Sequence, residues 1–388
     1  MSEYIEHDKS GITVGIVAKQ YHTFAEPPDE MVLESGARIG PVTIAYETCG
    51  CLNASKTNAV LILHALSGDS HVAGYYDRND PKPGWWDIMV GPGKGIDTDK
   101  YFVVCSNILG SCMGSTGPCS INPKTSLPYG IDFPLVTIPD MVKAQKALID
   151  HLGISRILAV IGGSIGGMQV LEWSLRYPEM VASAIPLATT TRHSALAIAF
   201  NEVSRQAIMS DPNWRNGHYY SGLKPNLGLA IARMIGHITY LSDEAMRHKF
   251  GRRLQPRADF SFNFDAAFEV ENYLRHQGIK FVERFDANSF LYITKAADYY
   301  DIGNQYGSGS TAEAFSKAQA KFLVISFTSD WLYPTYQSSE MVKAMKKNGL
   351  DVSFCEIEAE WGHDAFLLPN ERLTELIRAF LKRVYSEI

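Results

Sequence analysis

The sequence predicts an α/β protein with a mostly parallel β-sheet flanked by helices. Short runs rich in β-branched and aromatic residues alternate with longer segments of helical period, as in βα units joined into one sheet. Several of the short runs are almost continuously apolar, which is typical of strands covered on both faces. The predicted strands are Val42–Tyr46, Ala59–His64, Tyr101–Ser106, Ile157–Ile161, Ser183–Leu187, Lys321–Ser326 and Val352–Ile357.

The helix before the fourth predicted strand is marked at both ends. Pro139 suits the first helical turn, and Gly153 suits the position just after the last turn. Between them one apolar stripe runs at helical spacing. The stripe consists of Met141, Ala144, Leu148 and Leu152.

Between about residues 191 and 309 the pattern changes to long helical periods with few β-rich runs. We therefore predict a core made of residues 1–190 and 310–388, interrupted by a helical lid over residues 191–309. The glycine-rich run Gly303–Ser310 reads as a flexible return to the core.

One insertion segment, Leu227–Ser242, separates into two helical faces. An apolar stripe comprises Leu227, Ile231, Met234, Ile238 and Leu241. Arg233, His237 and Tyr240 share a second face, which is either solvated or lines a cavity.

Composition excludes several classes of protein. The chain has 388 residues, of which 46% are hydrophobic and 20% charged, so it can bury a large core. Its 36 basic and 42 acidic residues give a net charge of −6. Without a basic excess or a polybasic run, neither nucleic acid nor a lipid surface is an expected partner. Small-molecule or acyl chemistry is the better expectation.

The sequence also bears on the compartment. Met1–Ser10 has no apolar segment of the secretory type, and the apolar run Ala59–Leu63 is far too short to span a membrane. Six cysteines occur without a C-x-x-C pair, so we expect reduced thiols, no cysteine-ligated metal and a cytoplasmic protein. His64 and His71 are too isolated to indicate zinc, and Gly91–Gly95 lacks the Ser or Thr of a phosphate loop and suits a turn.

A G-x-S-x-G motif at Gly162, Ser164 and Gly166 carries the chemistry. A buried strand enters the motif and a helical segment leaves it, which is the context in which such a serine is a nucleophile. Glycines beside the serine allow the close packing that a strained turn needs. A glycine-rich packing turn is the structural alternative. We predict Ser164 as the nucleophile of an acyl-transfer enzyme with an α/β-hydrolase fold.

The partners of such a serine follow in the order acid, then histidine. His363 is the one histidine beyond His276, and it follows the last predicted strand. Asp330 comes directly after an earlier strand, whereas Asp351 precedes a strand and Asp364 adjoins the histidine. We therefore predict His363 as the base and Asp330 as the residue that orients it.

Two backbone amides are predicted to form the oxyanion hole. One is the amide of Ile165, directly after the nucleophile, and the other is that of Leu66, in the turn after the strand Ala59–His64. The structural alternative for the second turn is an ordinary βα connection.

Several motifs resemble those of the homoserine O-acetyltransferase family. They are LHALSGDSH at 63–71, GWWD at 84–87, GSCMGSTGP at 110–118, GGSIGGMQ at 162–169, NEVSRQA at 201–207, FDANS at 285–289 and GHDAF at 362–366. The resemblance runs from about residue 20 to the C-terminus. One departure is Ile165, where the family usually has Met.

The resemblance implies transfer of an acyl group from coenzyme A to the hydroxyl of L-homoserine, a step toward methionine. It implies no cofactor beyond the co-substrate acetyl-CoA, and a homodimer formed through the helical region. It also assigns the substrate carboxylate to Arg233 and the substrate ammonium to Asp364. Succinyl-using members tend to place Arg two residues after the catalytic Asp; Leu332 stands there, so acetyl-CoA is preferred.

Three alternatives stay open from the sequence. A succinyl-CoA-dependent enzyme or a serine acyltransferase would use the same fold and triad. An esterase or thioesterase would pass the acyl group to water. A binding protein on the same scaffold would need no triad, and the presence of Ser164, Asp330 and His363 argues against it.

Overall fold

The computed structural model describes residues 13–255, 260 and 262–388. The prediction made for Met1–Ser10 lies outside these residues. Eight strands form one sheet in the order β1-β2-β4-β3-β5-β6-β7-β8. The strands are β1 Gln20–Phe24, β2 Val42–Cys49, β3 Ala59–Leu63, β4 Phe102–Ser106, β5 Ala159–Gly163, β6 Ser183–Leu187, β7 Lys321–Phe327 and β8 Val352–Ile357.

The predicted parallel sheet is confirmed from β4 through β8, where neighbouring strands all run in the same direction. Strands β1 and β2 are antiparallel to their neighbours at one edge. All seven predicted strands are present, with boundaries shifted by up to three residues. Strand β1 was not predicted, because this edge strand is half exposed and lacks an apolar run.

Both faces of the sheet are covered, as β3 illustrates. Leu61 and Leu63 join one buried cluster, whereas Val60 and Ile62 join the other, as expected of alternating side chains in a strand. The first cluster includes side chains of helices α1 (Ile138–His151), α2 (Ile165–Arg176) and α10 (Thr335–Lys347). The second includes side chains of α11 (Glu371–Ser386).

Helix α1 has the ends that the sequence predicts. Pro139 lies in its first turn, Thr137 caps its N-terminus by accepting from the Asp140 amide, and Gly153 just beyond its end adopts φ +67°. None of the helices in the described part of the chain is long and apolar enough to cross a bilayer.

A mostly helical segment separates β6 from β7. It contains α3 Ala195–Met209, α4 Asn226–Tyr240, α5 Asp243–Lys249, α6 Glu269–Val282, α7 Ala287–Tyr299, α8 Ile302–Tyr306 and α9 Thr311–Ala314. The non-helical return predicted at Gly303–Ser310 is wrong for its first four residues, whereas residues 307–310 lie between helices. Residues 302–306 form α8 there, because Asp301 caps the helix through the Asn304 amide and Ile302 is buried.

Most of the apolar stripe predicted for helix α4 is exposed. Leu227 is 69% exposed and Ile238 44% exposed, whereas Leu241, just after the helix, is buried. Arg233 and His237 on the second face are buried, at 5% and 1% exposed. Of the two alternatives for that face, a solvated surface is therefore wrong. Arg233 and His237 are therefore buried beside apolar residues of α4, and Arg233 contacts Ser67 of the core.

Candidate active site

Ser164 occupies a strained turn between β5 and α2. Its backbone has φ 60° and ψ −127°, a conformation that costs a non-glycine residue free energy and is found mainly at functional sites. The surrounding backbone fixes it: the Ser164 amide donates to Leu187 O at 3.0 Å, and Thr189 Oγ1 donates to Ser164 O at 2.7 Å. The serine side chain is thereby presented at the carboxyl end of the parallel strands.

The glycines of the motif are needed because backbone segments meet there. A Cβ on Gly166 would lie 2.1 Å from Leu63 O, and one on Gly162 would lie 2.6 Å from the Gly166 carbonyl carbon. The first contact would push α2 away from β3, and the second would push α2 away from β5. The G-x-S-x-G spacing therefore reflects close packing of the turn as well as the position of the serine.

Asp330 and His363 form a buried pair at the same end of the sheet. His363 Nδ1 lies 2.8 Å from Asp330 Oδ2, and the other carboxylate oxygen accepts from the Leu332 and Tyr333 amides at 3.0 and 2.9 Å. Burial opposes a charge on the imidazole, but the Asp330 carboxylate outweighs it and raises the pKa of His363. Asp351, the competing candidate, instead pairs with Arg383.

Tyr333 joins the nucleophile to this pair. Its ring contacts that of His363 edge-on, with 5.1 Å between centroids, and its side chain lines the same cleft as Ser164. The segment after His363 also packs on the nucleophile turn, because a Cβ on Gly163 would lie 2.4 Å from the Phe366 ring. Tyr333 therefore contacts both members of the Asp330–His363 pair and lines the cleft together with Ser164.

Leu66 and Ile165 line the same cleft as Ser164. Ile165 begins α2, where backbone amides have no partner within the helix. The Leu66 turn is held by His64, whose Nδ1 lies 2.8 Å from Ala65 O and whose Nε2 accepts from the Ile108 amide at 3.1 Å. Burial lowers the pKa of His64, and the neutral imidazole suits this structural role.

Arg233 approaches the cleft from α4. Its guanidinium lies over the Phe281 ring at 4.7 Å and donates to Ser67 Oγ at 3.3 Å. Within the described ranges, its guanidinium has no salt bridge to a carboxylate. Asp364 is also buried, and burial raises the pKa of its carboxyl group, against the opposing charges of His363 and Arg233.

The helical segment between β6 and β7 and the sheet core both contribute walls to the cleft. Leu332 contributes from the core beside Ser164, and helices α3, α4 and α7 contribute from the helical segment. Their lining residues include Ala197, Phe200, Asn201, Ala232, Tyr240 and Phe290. Side chains from both parts of the chain are thus needed to enclose the serine.

His193 and Asp298 are site residues that the sequence reasoning missed. His193 lines the cleft, and its Nδ1 lies 2.9 Å from Asp298 Oδ1. Asp298 also accepts from Asn201 Nδ2 and Arg205 Nη1, each at 2.7 Å. The available signal was Asp298 itself, a carboxylate in the mostly apolar helical segment that forms α7. A charged side chain that is buried needs hydrogen-bonding partners, so this aspartate pointed to a polar group nearby.

Three exposed side chains that could hold a cation lie outside the lining of the cleft that contains Ser164. Glu244, His248 and Glu360 place one ligand atom each within 4.8 Å of one another, and all three are exposed. None of them lines the cleft with Ser164.

The fold and the serine turn define an enzyme class that the family comparison matches. Residues 58–369 fit the family model described as alpha/beta hydrolase fold, so the chain belongs to that family. More specific relatives then narrow the assignment. The chain is 66% identical over 384 residues to a homoserine O-acetyltransferase of Solidesulfovibrio magneticus, covering 99% of this chain and 97% of the relative. It belongs to the homoserine O-acetyltransferase family.

Two further comparisons bear on the site. The crystal structure of homoserine O-acetyltransferase from Bacillus anthracis superposes with a TM-score of 0.85 at 33% identity, covering 96% of this chain and 97% of that one. A homoserine O-succinyltransferase of Acidithiobacillus ferrooxidans is 54% identical over 377 residues, covering 97% of each chain. Similarity along the whole chain therefore occurs with relatives named for two different acyl groups.

Proposed function

We propose that this protein transfers the acetyl group of acetyl-CoA to the hydroxyl of L-homoserine through an acyl-serine intermediate, in methionine biosynthesis. The observation that carries the proposal is the buried 2.8 Å pair of Asp330 and His363 beside the strained Ser164 turn, in a chain of the homoserine O-acetyltransferase family. The arrangement supports a serine nucleophile with its own base.

In the first half-reaction, His363 takes the Ser164 proton as Oγ attacks the thioester carbonyl. Asp330 accepts from Nδ1, which leaves Nε2 free as the base and stabilises the imidazolium that forms. Negative charge develops on the carbonyl oxygen, and the amides of Leu66 and Ile165 are proposed to donate to it. The intermediate then collapses, the C–S bond breaks, and the coenzyme A thiolate takes the proton from His363.

In the second half-reaction, neutral His363 takes the proton of the homoserine hydroxyl. The oxygen attacks the acyl-serine carbonyl, the Ser164 ester bond breaks, and His363 returns the proton to Ser164 Oγ. Water could attack in the same way. The proposed lid, residues 191–309, limits this by supplying the α3 and α4 side chains that close the cleft.

Arg233 and Asp364 are proposed to bind the two charged ends of homoserine. A buried guanidinium that has no carboxylate partner among the residues the structure describes suits the substrate carboxylate, and the Asp364 carboxylate suits the ammonium. Binding of opposite charges would also offset the cost of burying each group.

The proposed preference for acetyl over succinyl rests on Leu332. This residue lines the cleft with Ser164, and its side chain offers no charge to the carboxylate of a succinyl group. A succinyl chain would therefore lose hydration there without gaining a cation.

We also propose a homodimer formed through an apolar patch of the insertion, defined by Leu196, Ile198 and Val203 of α3 and Leu227, Ile231 and Ile238 of α4. All six side chains are exposed. The double substitution Leu227→Glu/Ile231→Glu should give a monomer by light scattering, whereas Ile279→Glu, on the exposed face of α6, should leave a dimer. A native protein that is monomeric at assay concentration would rule the dimer out.

We also propose that the protein acts in the cytoplasm. All six cysteines are free thiols, which favours a reducing compartment.

The testing experiment measures thiol release from acetyl-CoA and from succinyl-CoA, each with and without L-homoserine, with mass detection of the product. Homoserine-dependent release from acetyl-CoA is the expected result. Faster release from succinyl-CoA would overturn the choice of donor and retain the triad. Release that is indifferent to homoserine would identify a hydrolase, and transfer to L-serine in preference would change the acceptor.

A further inference from the structure

The turn that carries the Leu66 amide is held by hydrogen bonds to its own backbone. The Gly68 amide donates to Ala65 O at 2.9 Å, which closes a four-residue turn with Leu66 and Ser67 at its centre. Ala65 O also lies 2.8 Å from Nδ1 of the buried His64. Among the residues that the structure describes, the Leu66 amide itself has no acceptor. It is therefore available to a substrate oxygen.

Arg284 reaches this turn from the insertion. It lies in the link between α6 and α7, and its Nη1 donates to Ser67 O at 2.9 Å. The guanidinium also lies over the Phe281 ring, 5.4 Å from its centroid. Arg284 as a whole is exposed, so its side chain can be replaced without opening a cavity in the core. A cation of the insertion thus contacts the backbone of the core turn.

Two peptide groups connect this guanidinium to the Leu66 amide. Ser67 O and the Gly68 N–H belong to one peptide group, and Ala65 O and the Leu66 N–H belong to the other. In a trans peptide the C=O and the N–H point in opposite directions, so each group accepts at one end and donates at the other. Arg284 donates to the first group, the first group donates to the second, and the Leu66 N–H is the terminal donor.

Hydrogen bonds in such a chain polarise one another, and a charged donor at its start has the largest effect. The positive charge of Arg284 draws electron density toward Ser67 O, and the Gly68 N–H becomes a stronger donor to Ala65 O. The Leu66 N–H is strengthened in turn. The same bonds fix the plane of the peptide group that carries it.

We propose that Arg284 is a positioning residue of the oxyanion hole, which orients and polarises the Leu66 amide through the two peptide groups of the turn. The inference rests on the proposed function and extends it, because a turn of the core is then completed by a residue of the insertion. The second proposed donor, Ile165, belongs to α2 and is independent of this contact. Loss of Arg284 should therefore weaken the hole without abolishing it.

Arg284→Met removes the donors and keeps an unbranched side chain beside Phe281. Acyl-enzyme formation from acetyl-CoA, followed by rapid quenching and intact mass, should slow by about tenfold, less than the roughly 100- to 1,000-fold loss on removing an oxyanion donor outright. The matched control is Arg275→Met, because Arg275 is an exposed residue of α6 that donates to Phe264 O at 3.2 Å. It should acylate at the native rate. Native-like acylation by Arg284→Met would overturn the proposal.

Exchange of the substrate oxygen for sulfur separates the oxyanion hole from the rest of the site. In the dithioester analogue of acetyl-CoA the carbonyl oxygen is replaced by sulfur, a weak hydrogen-bond acceptor, so the Leu66 amide contributes little to its reaction. The ratio of the acylation rate with acetyl-CoA to that with the analogue should fall by about tenfold in Arg284→Met and stay native in Arg275→Met. Equal slowing with both substrates would show that Arg284 supports the site in general, and would overturn the proposal.

Ser164→Ala separates this inference from the proposed function. If Ser164→Ala still forms an acyl-enzyme, the proposed function fails and the role of Arg284 fails with it. If Ser164→Ala forms none and the oxygen-to-sulfur ratio of Arg284→Met is native, the role of Arg284 alone fails.

Discussion

The sheet core and the helical insertion use apolar residues in opposite ways. In the core, β6 is fully buried, and the runs that look like strands are the strands. In α4, Leu227, Ile231 and Ile238 of the apolar stripe are exposed, while Arg233 and His237 are buried. In the core, the apolar pattern of the sequence therefore identifies the residues that are buried. In the insertion it does not, because the polar face of α4 is buried near the cleft that contains Ser164.

The largest effect should come from the core side of the cleft. Ser164→Ala should lower the rate of thiol release by about 10⁴-fold or more, because the acyl group loses its carrier. Steady-state thiol release measures this, with Ser386→Ala in the exposed C-terminal turn as the control. Residual activity near the native rate would move the nucleophile elsewhere.

The second-largest effect should be on the free energy of unfolding, which should respond more to substitutions in the sheet core than to substitutions on the exposed surface of the insertion. Ile185→Ala leaves a cavity in β6 and should cost about 2–5 kcal/mol of unfolding free energy. Ile279→Ala, on the exposed face of α6, should change it by less than about 0.5 kcal/mol. Denaturant unfolding measures both. Similar costs at the two positions would contradict the contrast drawn between core and insertion.

Substrate binding should respond to the inward face of α4. Arg233→Gln should raise the KM for homoserine by about 10- to 100-fold, the value of a charge-assisted hydrogen bond, and leave acyl-enzyme formation near native. The matched control is Arg247→Gln, whose side chain is exposed on α5. Loss of acylation instead of acceptor binding would show that Arg233 serves the core chemistry.

The smallest predicted effect is a displacement of the pH profile. The base must be neutral to act, and Asp330 raises the pKa of His363, so kcat/KM for acetyl-CoA should rise with pH through a midpoint above 6.5. Asp330→Asn should move that midpoint lower while reducing the rate. A midpoint unchanged by Asp330→Asn would mean that another group controls the acidic limb.

The candidate site in the core can be proposed from the sequence because its determinants are local. Ser164 is marked by flanking glycines, and Asp330 and His363 by their positions after strands, which parallel topology brings to one edge. The His193–Asp298 pair escapes this reasoning because His193 lies in the loop before α3 and Asp298 lies in α7, about a hundred residues further on, so the two meet only through tertiary packing. The direction in which α4 faces escapes it as well, since the periodicity of a helix cannot say which face meets the cleft.

The position of the insertion has an evolutionary consequence. It leaves the sheet after Leu187 and rejoins it at Lys321, on neighbouring strands whose register pairs Ser183 with Lys321. The inserted segment begins and ends at adjacent strands. Lengthening such a segment raises the free-energy cost of loop closure only slightly, by about 0.6 kcal/mol for each doubling of its length. Lengthening or replacing the inserted segment would leave the pairing of β6 with β7 intact. New acceptor alcohols could thus be acquired by exchanging one continuous stretch of chain, while the proposed triad is inherited unchanged.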